Sequence, residues 1–361
     1  MRDVIVVGGG PAGLAVALEA ARRGLDALVL ERRALPADKA CGEGILPAGV
    51  RALDAMGALS LLDPAGWSPL RAIRWVQEDG SSAEAALPPP GGMGVRRLAL
   101  SAALLARARA LGAEVRDGVA VESHRREAGS AVVRISGGEE VRGRLLVAAD
   151  GLGSAIRERE GLGRPTRGPR RFGLRRHWAI APWTDAVEVH FARGAEAYLT
   201  PTGPGRVGLA FLFEEGVAPD FERLLARFPR LADRLAGVPP DSALAGAGPF
   251  GRDARTRVQD RLLLAGDAGG YVDAITGEGV SLALEEARML GAVLPDALLR
   301  GASRQSLIPW ERAVRARHRR HAAVTRLVLS MARRPRLRRT AVDWLGRAPR
   351  LFDALVARAV G

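Results

Sequence analysis

A glycine motif between a strand and a helix decides the fold class of this chain. An apolar strand at residues 3–7 (DVIVV) runs directly into Gly8, Gly10 and Gly13, which have the spacing G-x-G-x-x-G. Apolar residues then recur at helical spacing, and a second apolar strand ends at Glu31. A strand, a helix and a second strand in this order form a βαβ unit, which predicts a parallel, doubly wound α/β sheet.

Each part of the motif has a task in binding a dinucleotide. One glycine makes the tight turn, one lets the backbone approach a pyrophosphate, and one permits close packing of the helix on the strand. The N-terminus of the helix supplies free N–H groups to the phosphates, and the carboxylate of Glu31 accepts from ribose hydroxyls. The residues predicted to contact the cofactor here are Gly8, Gly10, Pro11, Ala12, Gly13, Glu31 and Arg32.

The composition is that of a globular protein in which redox chemistry belongs to a cofactor. Of the 361 residues, 47% are hydrophobic and 26% are charged. Cys41 is the single cysteine, which excludes an intramolecular disulfide and the paired-cysteine centre of disulfide reductases. No apolar run is long enough to cross a bilayer and no signal segment precedes the first strand, so we expect a cytoplasmic protein.

The formal net charge is +14, and Lys39 is the single lysine among the basic residues. A GC-rich coding sequence accounts for such an arginine bias without any binding role, and an anionic membrane surface is the alternative partner. We expect no nucleic acid, because no binding motif or cluster of stacking aromatics accompanies the charge. We expect no metal site either, since a single cysteine cannot form C-x-x-C and the one H-x-x-H, at His318 and His321, stands among arginines rather than beside further metal ligands.

Changes in pattern divide the chain into four segments. We predict the first part of the dinucleotide-binding domain at 1–164, an inserted substrate-binding sheet domain at 165–255, the return of the first domain at 256–302 and a helical C-terminal region at 303–361. Within them the patterns predict helices at 95–112 and 279–298 and strands at 114–123, 131–136, 144–149, 187–191, 207–213 and 262–266. The predicted fold class is therefore α/β, with a doubly wound Rossmann-like domain, an inserted mixed β-sheet domain and a helical C-terminus.

Two later segments resemble the fingerprints of a flavoprotein family. They are RLLVAADGLGSAIR (144–157) and RLLLAGDAGGYVDAITGEG (261–279). Together with the N-terminal motif, they are similar to the family that contains para-hydroxybenzoate hydroxylase, the geranylgeranyl reductases and the flavin-dependent halogenases. The residues that match the family's spacing in these segments are Asp150, Gly151, Ser154, Arg157 and Asp267.

The resemblance implies FAD as the cofactor. Asp267 would accept from the ribityl chain, the helix N-terminus near Gly277 to Gly279 would face the pyrimidine ring, and Arg97, in R-x-x-L-S-x-x-L, would reach the phosphates. In relatives, the 144–157 segment lies between FAD and the second nucleotide. The further FAD contacts that the resemblance implies are Cys41, Gly42, Arg97, Val119, Asp150, Gly151, Asp267, Gly277, Glu278, Gly279 and Val280.

Within this family the sequence resembles the geranylgeranyl reductase branch, although not throughout. KACGEG (39–44) resembles the K-x-C-G-x-G of that branch, and TGEG (276–279) agrees with it, whereas aromatic hydroxylases would show His at Gly270 and Pro at Ala274. The reductases' Y-x-W-x-F-P stands here as EAYLTP (196–201). The halogenases' W-x-W-x-I-P is not found at this place either. The lysine that halogenases have after the first fingerprint is also missing. The sequence therefore matches the scaffold better than any one activity.

The leading functional prediction is NAD(P)H-dependent, FAD-linked monooxygenation of a hydrophobic small molecule that is lipid-like, aromatic or polyketide-derived. Reduction of carbon–carbon double bonds in an isoprenoid or related lipid is the alternative, and flavin-dependent halogenation is a minor one. A flavin-binding module without turnover is the rival from another class. We expect NADH or NADPH to dock transiently as electron donor, since no second G-x-G-x-x-G stands between a strand and a helix, where it could bind the nicotinamide nucleotide.

Three residues are candidates for catalysis: Cys41, Tyr198 and His190. The resemblance places Cys41 close to the flavin, although a lone cysteine is more often a small packed hydrophobe. His190 lies on an alternating strand that could point it into the cavity, with a structural histidine as the alternative. Tyr198 belongs to an aromatic-dense segment that we expect to cover the flavin, and we predict Tyr198 and Phe211 on the cavity side.

The arginine-rich C-terminal region predicts amphipathic helices. Val324, Leu327, Val328 and Met331 share one helical face, and arginines crowd its flanks. Such helices lie on anionic membranes, or they pack on their own domain with a solvated charged face. Membrane contact would put the protein at the inner face of the membrane, and a lipid-like substrate would then follow.

Overall fold

The chain forms a parallel sheet and a mostly antiparallel sheet with a cavity between them. The computed structural model describes residues 1–166, 168–217 and 220–360. The helices are α1 Pro11–Ala21, α2 Pro47–Ala55, α3 Arg97–Ala110, α4 Ala155–Arg159, α5 Phe221–Leu225, α6 Pro229–Leu235, α7 Gly279–Leu299, α8 Arg304–Ala332, α9 Pro335–Arg347 and α10 Pro349–Val360. The strands are β1 Arg2–Val7, β2 Ala27–Glu31, β3 Gly44–Ile45, β4 Trp67–Leu70, β5 Ala72–Val76, β6 Ser82–Ala86, β7 Gly92–Val95, β8 Glu114–Asp117, β9 Val121–Arg126, β10 Ala131–Ile135, β11 Glu140–Ala148, β12 Gly163–Arg164, β13 Arg171–Trp178, β14 Ala186–Ala192, β15 Ala195–Gly203, β16 Arg206–Glu214, β17 Ala245–Ala247, β18 Arg252–Ala254, β19 Val258–Gln259, β20 Leu262–Leu264 and β21 Gly270–Tyr271.

The parallel sheet has the order β19-β20-β11-β1-β2-β8, and the strands from β20 to β8 run parallel to their neighbours. β1 lies inside it because its apolar side chains are buried on both faces. α1 packs between α3 and α7, and an antiparallel hairpin of β9 and β10 extends from β11. The predicted parallel α/β fold is confirmed. Because parallel strands share one carboxyl edge, the loops that carry Gly8, Asp150 and Asp267 meet there.

The second sheet has the order β17-β13-β16-β15-β14-β5-β6, and all pairs but β14 with β5 are antiparallel. Five strands come from the predicted 165–255 segment. β5 and β6 come from 72–86, so the sheet is not confined to that segment and 1–164 is not purely dinucleotide-binding. β6 was missed because its sequence, SAEAA, has a low strand propensity.

The two faces of the second sheet pack differently. Tyr198 pairs with Ala210 across β15 and β16, and both side chains lie on the cavity face. Phe211 borders the cavity, but its ring stacks on Phe228 at 5.6 Å and meets Phe221 at 4.8 Å, on the face covered by α5 and α6. The expectation that the rings of Phe211 and Tyr198 share the cavity face is therefore wrong, because adjacent strand residues point to opposite faces.

The C-terminal helices pack on the rest of the chain. α8 contacts α7 and β19, while α9 and α10 lie on the edge strand β6. Arg338 of α9 is buried, and its Nε donates to Gln77 Oε1 at 2.9 Å. The predicted common face is divided, since Val324 and Val328 line the cavity whereas Leu327 is 71% exposed. Within the described part of the chain, no helix combines the length and apolar character needed to span a membrane.

Candidate functional site

A cavity of about 700 Å³ lies between the two sheets and is closed on one side by α8 and α10. We call its charged end the polar compartment; it is lined by Arg32, Arg33, Lys39, Arg97, Asp150 and Asp267. We call the part between the second sheet and the C-terminal helices the apolar compartment; it is lined by Leu46, Ile73, Trp75, Val187, Val189, Tyr198, Ala210, Leu212, Ile275, Val324, Val328, Val356 and Val360.

Close backbone contacts explain why the loop after β1 contains glycine. Gly8 has φ +109°, and a Cβ on it would lie 2.3 Å from the carbonyl oxygen of Ala149. A Cβ on Gly13 would lie 1.8 Å from the carbonyl oxygen of Gly8. α1 begins at Pro11 with no side-chain cap, so the amides of its first turn are free to bind an anion.

Arg97 is a buried cation beside this loop. The residue is 8% exposed, and its Nη2 lies 3.9 Å from the position of a Cβ on Gly10. Among the described residues, its Nε and Nη1 have no hydrogen-bond partner. A buried guanidinium without an anion is unfavourable, and a pyrophosphate on the N-terminus of α1 would satisfy it. The loop and Arg97 therefore fit the phosphates of FAD.

The predicted adenosine end lies at the carboxyl end of β2. The carboxylate of Glu31 accepts from the amides of Gly9 at 2.6 Å and Arg33 at 3.0 Å, and it lines a small cavity that adjoins the polar compartment. Arg32 lines the polar compartment itself. Val119 donates its amide to the carbonyl oxygen of Glu31 at 2.9 Å and lines neither cavity. A direct contact of Val119 with FAD thus has less support than the others.

The two fingerprint loops are tied to each other by a buried arginine. Arg157 is 1% exposed and donates to the carbonyl oxygens of Leu152 at 3.0 Å and Ala268 at 3.1 Å. Asp150 Oδ2 accepts from the amide of Ile156 at 3.3 Å, and its buried Oδ1 has no partner among the described residues. Asp150 thus keeps one acceptor for a ligand in the cavity.

Asp267 and Lys39 face the same polar compartment. Burial raises the pKa of Asp267, and the charges of Lys39 and Arg97 oppose that rise. Burial lowers the pKa of Lys39, whose Nζ lies 3.5 Å from the position of a Cβ on Gly151. Sequence reasoning placed Lys39 only within KACGEG and did not predict that it lines the polar compartment with Asp267.

The N-terminus of α7 borders the cavity through Gly277, Glu278, Gly279 and Val280. Gly277 has φ +68°, and Glu278 precedes α7 without capping it by its side chain. The Glu278 carboxylate contacts His321 Nδ1 of α8 at 2.5 Å instead. The first amides of α7 are therefore free to favour negative charge on a ring placed before them.

The loop that carries Cys41 and Gly42 lies on the cavity wall. Cys41 Sγ accepts from the amide of Glu43 at 3.3 Å, and Thr200 Oγ1 donates to the carbonyl oxygen of Gly42 at 2.9 Å. The amide of Val95 donates to the carbonyl oxygen of Glu43 at 2.7 Å. Burial raises the pKa of the Cys41 thiol, so the thiol is protonated at neutral pH.

Glu43 joins this loop to the second sheet, and sequence reasoning missed it. It has φ +59° and is 3% exposed, and its carboxylate contacts the Nε2 of His177. Its Oε1 accepts from the Arg97 amide at 2.8 Å and from Arg96 Nη1 at 3.2 Å. Burial lowers the pKa of His177, which indicates a neutral ring with Nε2–H toward Glu43 and Nδ1 accepting from Arg175 at 3.0 Å. The position of Glu43 between two glycines was the available signal.

The Tyr198 hydroxyl is already engaged. It donates to the carbonyl oxygen of Ile275 at 2.7 Å, and burial raises its pKa well above the ordinary value of 10.0. Tyr198 therefore stays neutral and shapes the cavity wall rather than titrating.

His190 lies on the other face of its strand. It pairs with Ala197 across β14 and β15, and its Nε2 contacts Glu188 Oε2 at 3.0 Å. Val189, one residue before it, takes the cavity face. The prediction that this strand could point His190 into the cavity is wrong, and the contact with Glu188 supports the alternative of a structural histidine.

Comparison with known proteins also indicates an FAD-binding protein. Residues 1–206 match the FAD binding domain family. Digeranylgeranylglycerophospholipid reductase 1 of Methanopyrus kandleri is 32% identical over 316 residues, which cover 82% of this chain and 81% of that enzyme. Rifampicin monooxygenase of Streptomyces venezuelae is 28% identical over 311 residues, which cover 81% of this chain and 63% of that enzyme.

A solved structure has the same fold as this chain over the whole length of this chain. A triple mutant of a flavin-dependent brominase superposes with a TM-score of 0.84 at 17% identity, covering 100% of this chain and 94% of the brominase chain.

Proposed function

The chain belongs to the FAD binding domain family, and on that premise we propose that it is an NAD(P)H-dependent reductase of carbon–carbon double bonds in an isoprenoid or related lipid. Membership of this family establishes FAD as the cofactor and oxidoreductase as the class of enzyme. The electron donor, the reaction and the substrate are the proposal. It places reduction ahead of the monooxygenation that the sequence alone favoured.

The observation that carries this proposal is the scarcity of polar groups in the apolar compartment. Its walls are aliphatic and aromatic, and the polar side-chain groups of the described residues that we assigned to it are the hydroxyl of Tyr198, which is bonded to Ile275, and the indole N–H of Trp75. A phenol or carboxylate there would lose most of its hydrogen bonds to water without replacement. A polyprenyl chain loses none and gains burial of its surface, which supports a hydrocarbon substrate.

The residues of the chain would contribute a proton, a fixed loop and a dry cavity. When bound, FAD supplies electrons from NADH or NADPH to the double bond as a hydride. The other carbon of the bond then needs a proton, and the protonated thiol of Cys41 on the cavity wall holds one. The thiolate left behind takes its proton back from solvent. Glu43 and Thr200 hold this loop in place.

Monooxygenation of a hydrophobic molecule stays the second candidate. EAYLTP at 196–201 departs from the reductase pattern in the wall of the apolar compartment, and rifampicin monooxygenase is a relative over 81% of this chain. The same apolar walls would exclude water from either reaction.

Anaerobic flavin reoxidation tests the proposed reaction. The FAD-loaded protein is reduced with NADPH or NADH, freed of excess donor, and mixed without oxygen with a geranylgeranylated lipid. We expect the oxidised flavin absorbance to return, and not to return with the fully saturated lipid. Cys41→Ala should slow this step while leaving reduction by NAD(P)H unchanged. Reoxidation that requires oxygen would favour monooxygenation.

A lipid substrate also bears on location. We propose that the protein works at the inner face of a membrane, where such a substrate resides, without spanning it.

A further inference from the structure

α9 and α10 expose apolar side chains on the faces that point away from the protein. We call this patch the tail surface; its members are Leu337 (49% exposed), Trp344 (57%), Leu351 (39%) and Leu355 (50%). Leu337 and Trp344 lie two turns apart on α9, and Leu351 and Leu355 lie one turn apart on α10. Of the six tryptophans, all of which lie in the described residues, Trp344 alone is exposed.

The two helices present this patch on one side of the molecule because both are seated on β6. A Cβ on Gly346 of α9 would lie 2.8 Å from the carbonyl oxygen of Ser82, and Asp353 of α10 accepts from the amide of Ala86 at 2.7 Å. The inward residues Val342 and Phe352 are buried. The outward faces therefore lie side by side.

The two helices of the tail surface carry a net positive charge. Residues 335–360 contain six arginines and two acidic residues, a net charge of +4, and five of the six arginines are exposed. Arg347 and Arg350 stand at the junction of α9 and α10, and both are exposed. Exposed tryptophan and leucine beside arginine match the interface of an anionic bilayer, where apolar side chains enter the headgroup region and arginines meet lipid phosphates.

The tail surface is also next to the cavity. Val356 and Val360 of α10 line the apolar compartment, while Leu355 of the same helix is exposed. A helix is about 10 Å across, so a bilayer against the outer side of α10 would lie about that far from the cavity.

We propose that the tail surface docks on an anionic lipid bilayer and brings the apolar compartment to the source of its substrate. Docking depends on the charge and exposure of α9 and α10 and not on the reaction. The delivery of substrate rests on the proposed function.

Vesicle binding of the FAD-loaded full chain tests the docking. We expect tight binding to vesicles of phosphatidylcholine with phosphatidylglycerol and weak binding to phosphatidylcholine alone. The double variant Arg347→Glu with Arg350→Glu should weaken binding to the anionic vesicles by a factor on the order of 30 or more. The matched control is Arg109→Glu with Arg159→Glu, which makes the same charge change at exposed positions on α3 and α4.

Insertion of apolar side chains is tested separately. Trp344→Ser with Leu355→Ser should weaken binding at least several-fold, whereas Leu244→Ser with Leu299→Ser, at residues 44% and 82% exposed, should not. Brominated lipids should quench tryptophan fluorescence in the unaltered protein but not in Trp344→Phe.

Three results would overturn the docking proposal. The first is that the protein binds both vesicle types equally. The second is that the control variants lose as much binding as the tail variants. The third is that the protein sediments as a stable dimer, and that the Trp344 variant dissociates this dimer but still binds vesicles. Reduction of a detergent-dispersed lipid needs the reaction but not the docking, so it separates the two proposals. Tail variants that lose vesicle binding should still reduce this lipid. If the unaltered protein binds vesicles but does not reduce it, the proposed function fails and the docking proposal stands.

Discussion

The buried carboxylate of Glu43 contacts the imidazole of His177, 134 positions away in the chain. One residue belongs to the loop that carries Cys41, and the other belongs to β13 of the second sheet. The pair therefore joins the loop on the cavity wall to the second sheet.

Loss of this carboxylate should destabilise the protein. Glu43→Ala would leave Arg96 and His177 without their buried acceptor, and we expect a loss of about 3 to 5 kcal/mol in the free energy of unfolding. Glu43→Gln, which retains an acceptor, should lose less. Urea unfolding measures both. Glu139→Gln, at a half-exposed ion pair with Arg116, is the control and should change stability by less than about 1 kcal/mol. Equal effects at Glu43 and Glu139 would contradict the assigned role.

His177 should make stability depend on pH. Burial lowers its pKa below the ordinary 6.5, so the folded ring stays neutral where the ring of the unfolded chain takes up a proton. The contribution is complete above about pH 6.5 and is lost as pH falls from there toward the folded pKa, by at most about 1.4 kcal/mol per pH unit. His177→Gln, which keeps an amide donor toward Glu43 and does not titrate, should flatten this slope. An unchanged slope in the variant would assign the dependence to other groups.

Arg97 should matter for FAD and not for folding. Among the described residues, the Nε and Nη1 of Arg97 have no hydrogen-bond partner, and we expect them to bind the phosphates of FAD. Arg97→Met removes this cation, so we expect FAD affinity to fall about 10- to 100-fold. The apoprotein should keep its stability or gain some, since an uncompensated buried charge is removed. Arg109→Met, an exposed change on the same helix, should leave both unchanged. Flavin titration and urea unfolding of the apoprotein measure the two effects, and unaltered FAD binding in Arg97→Met would remove Arg97 from the site.

Tyr198 should act through shape. Tyr198→Ala opens the wall of the apolar compartment, so we expect the apparent affinity for a polyprenyl substrate to fall about tenfold at unchanged flavin content. Tyr198→Phe loses only the bond to Ile275 and should stay within a few-fold of normal. Phe211→Leu, on the other face of the sheet, should lower stability and leave substrate affinity unchanged. Loss of FAD in Tyr198→Ala would move the substrate compartment elsewhere.

Local patterns predicted the parallel sheet and the three loops at its carboxyl edge, because a strand, its turn and the following helix are encoded by neighbouring residues. Contacts between distant segments were not predictable in this way. The bond between Glu43 and His177 depends on how two sheets face each other, and β6 depends on pairing with β5 rather than on its own propensity. Alternation placed His190 and its neighbours in the strand on opposite faces of the sheet, but it did not show which face meets the cavity.

The most direct test of the proposed reaction is the mass of the product formed under isotopically labelled oxygen. The FAD-loaded protein is supplied with NADPH or NADH and a geranylgeranylated lipid under ¹⁸O₂, and the lipid is analysed by mass spectrometry. We predict a product heavier by two hydrogen atoms for each reduced double bond, with no ¹⁸O. Incorporation of one ¹⁸O atom into the lipid, with its double bonds otherwise retained, would contradict reduction and establish monooxygenation.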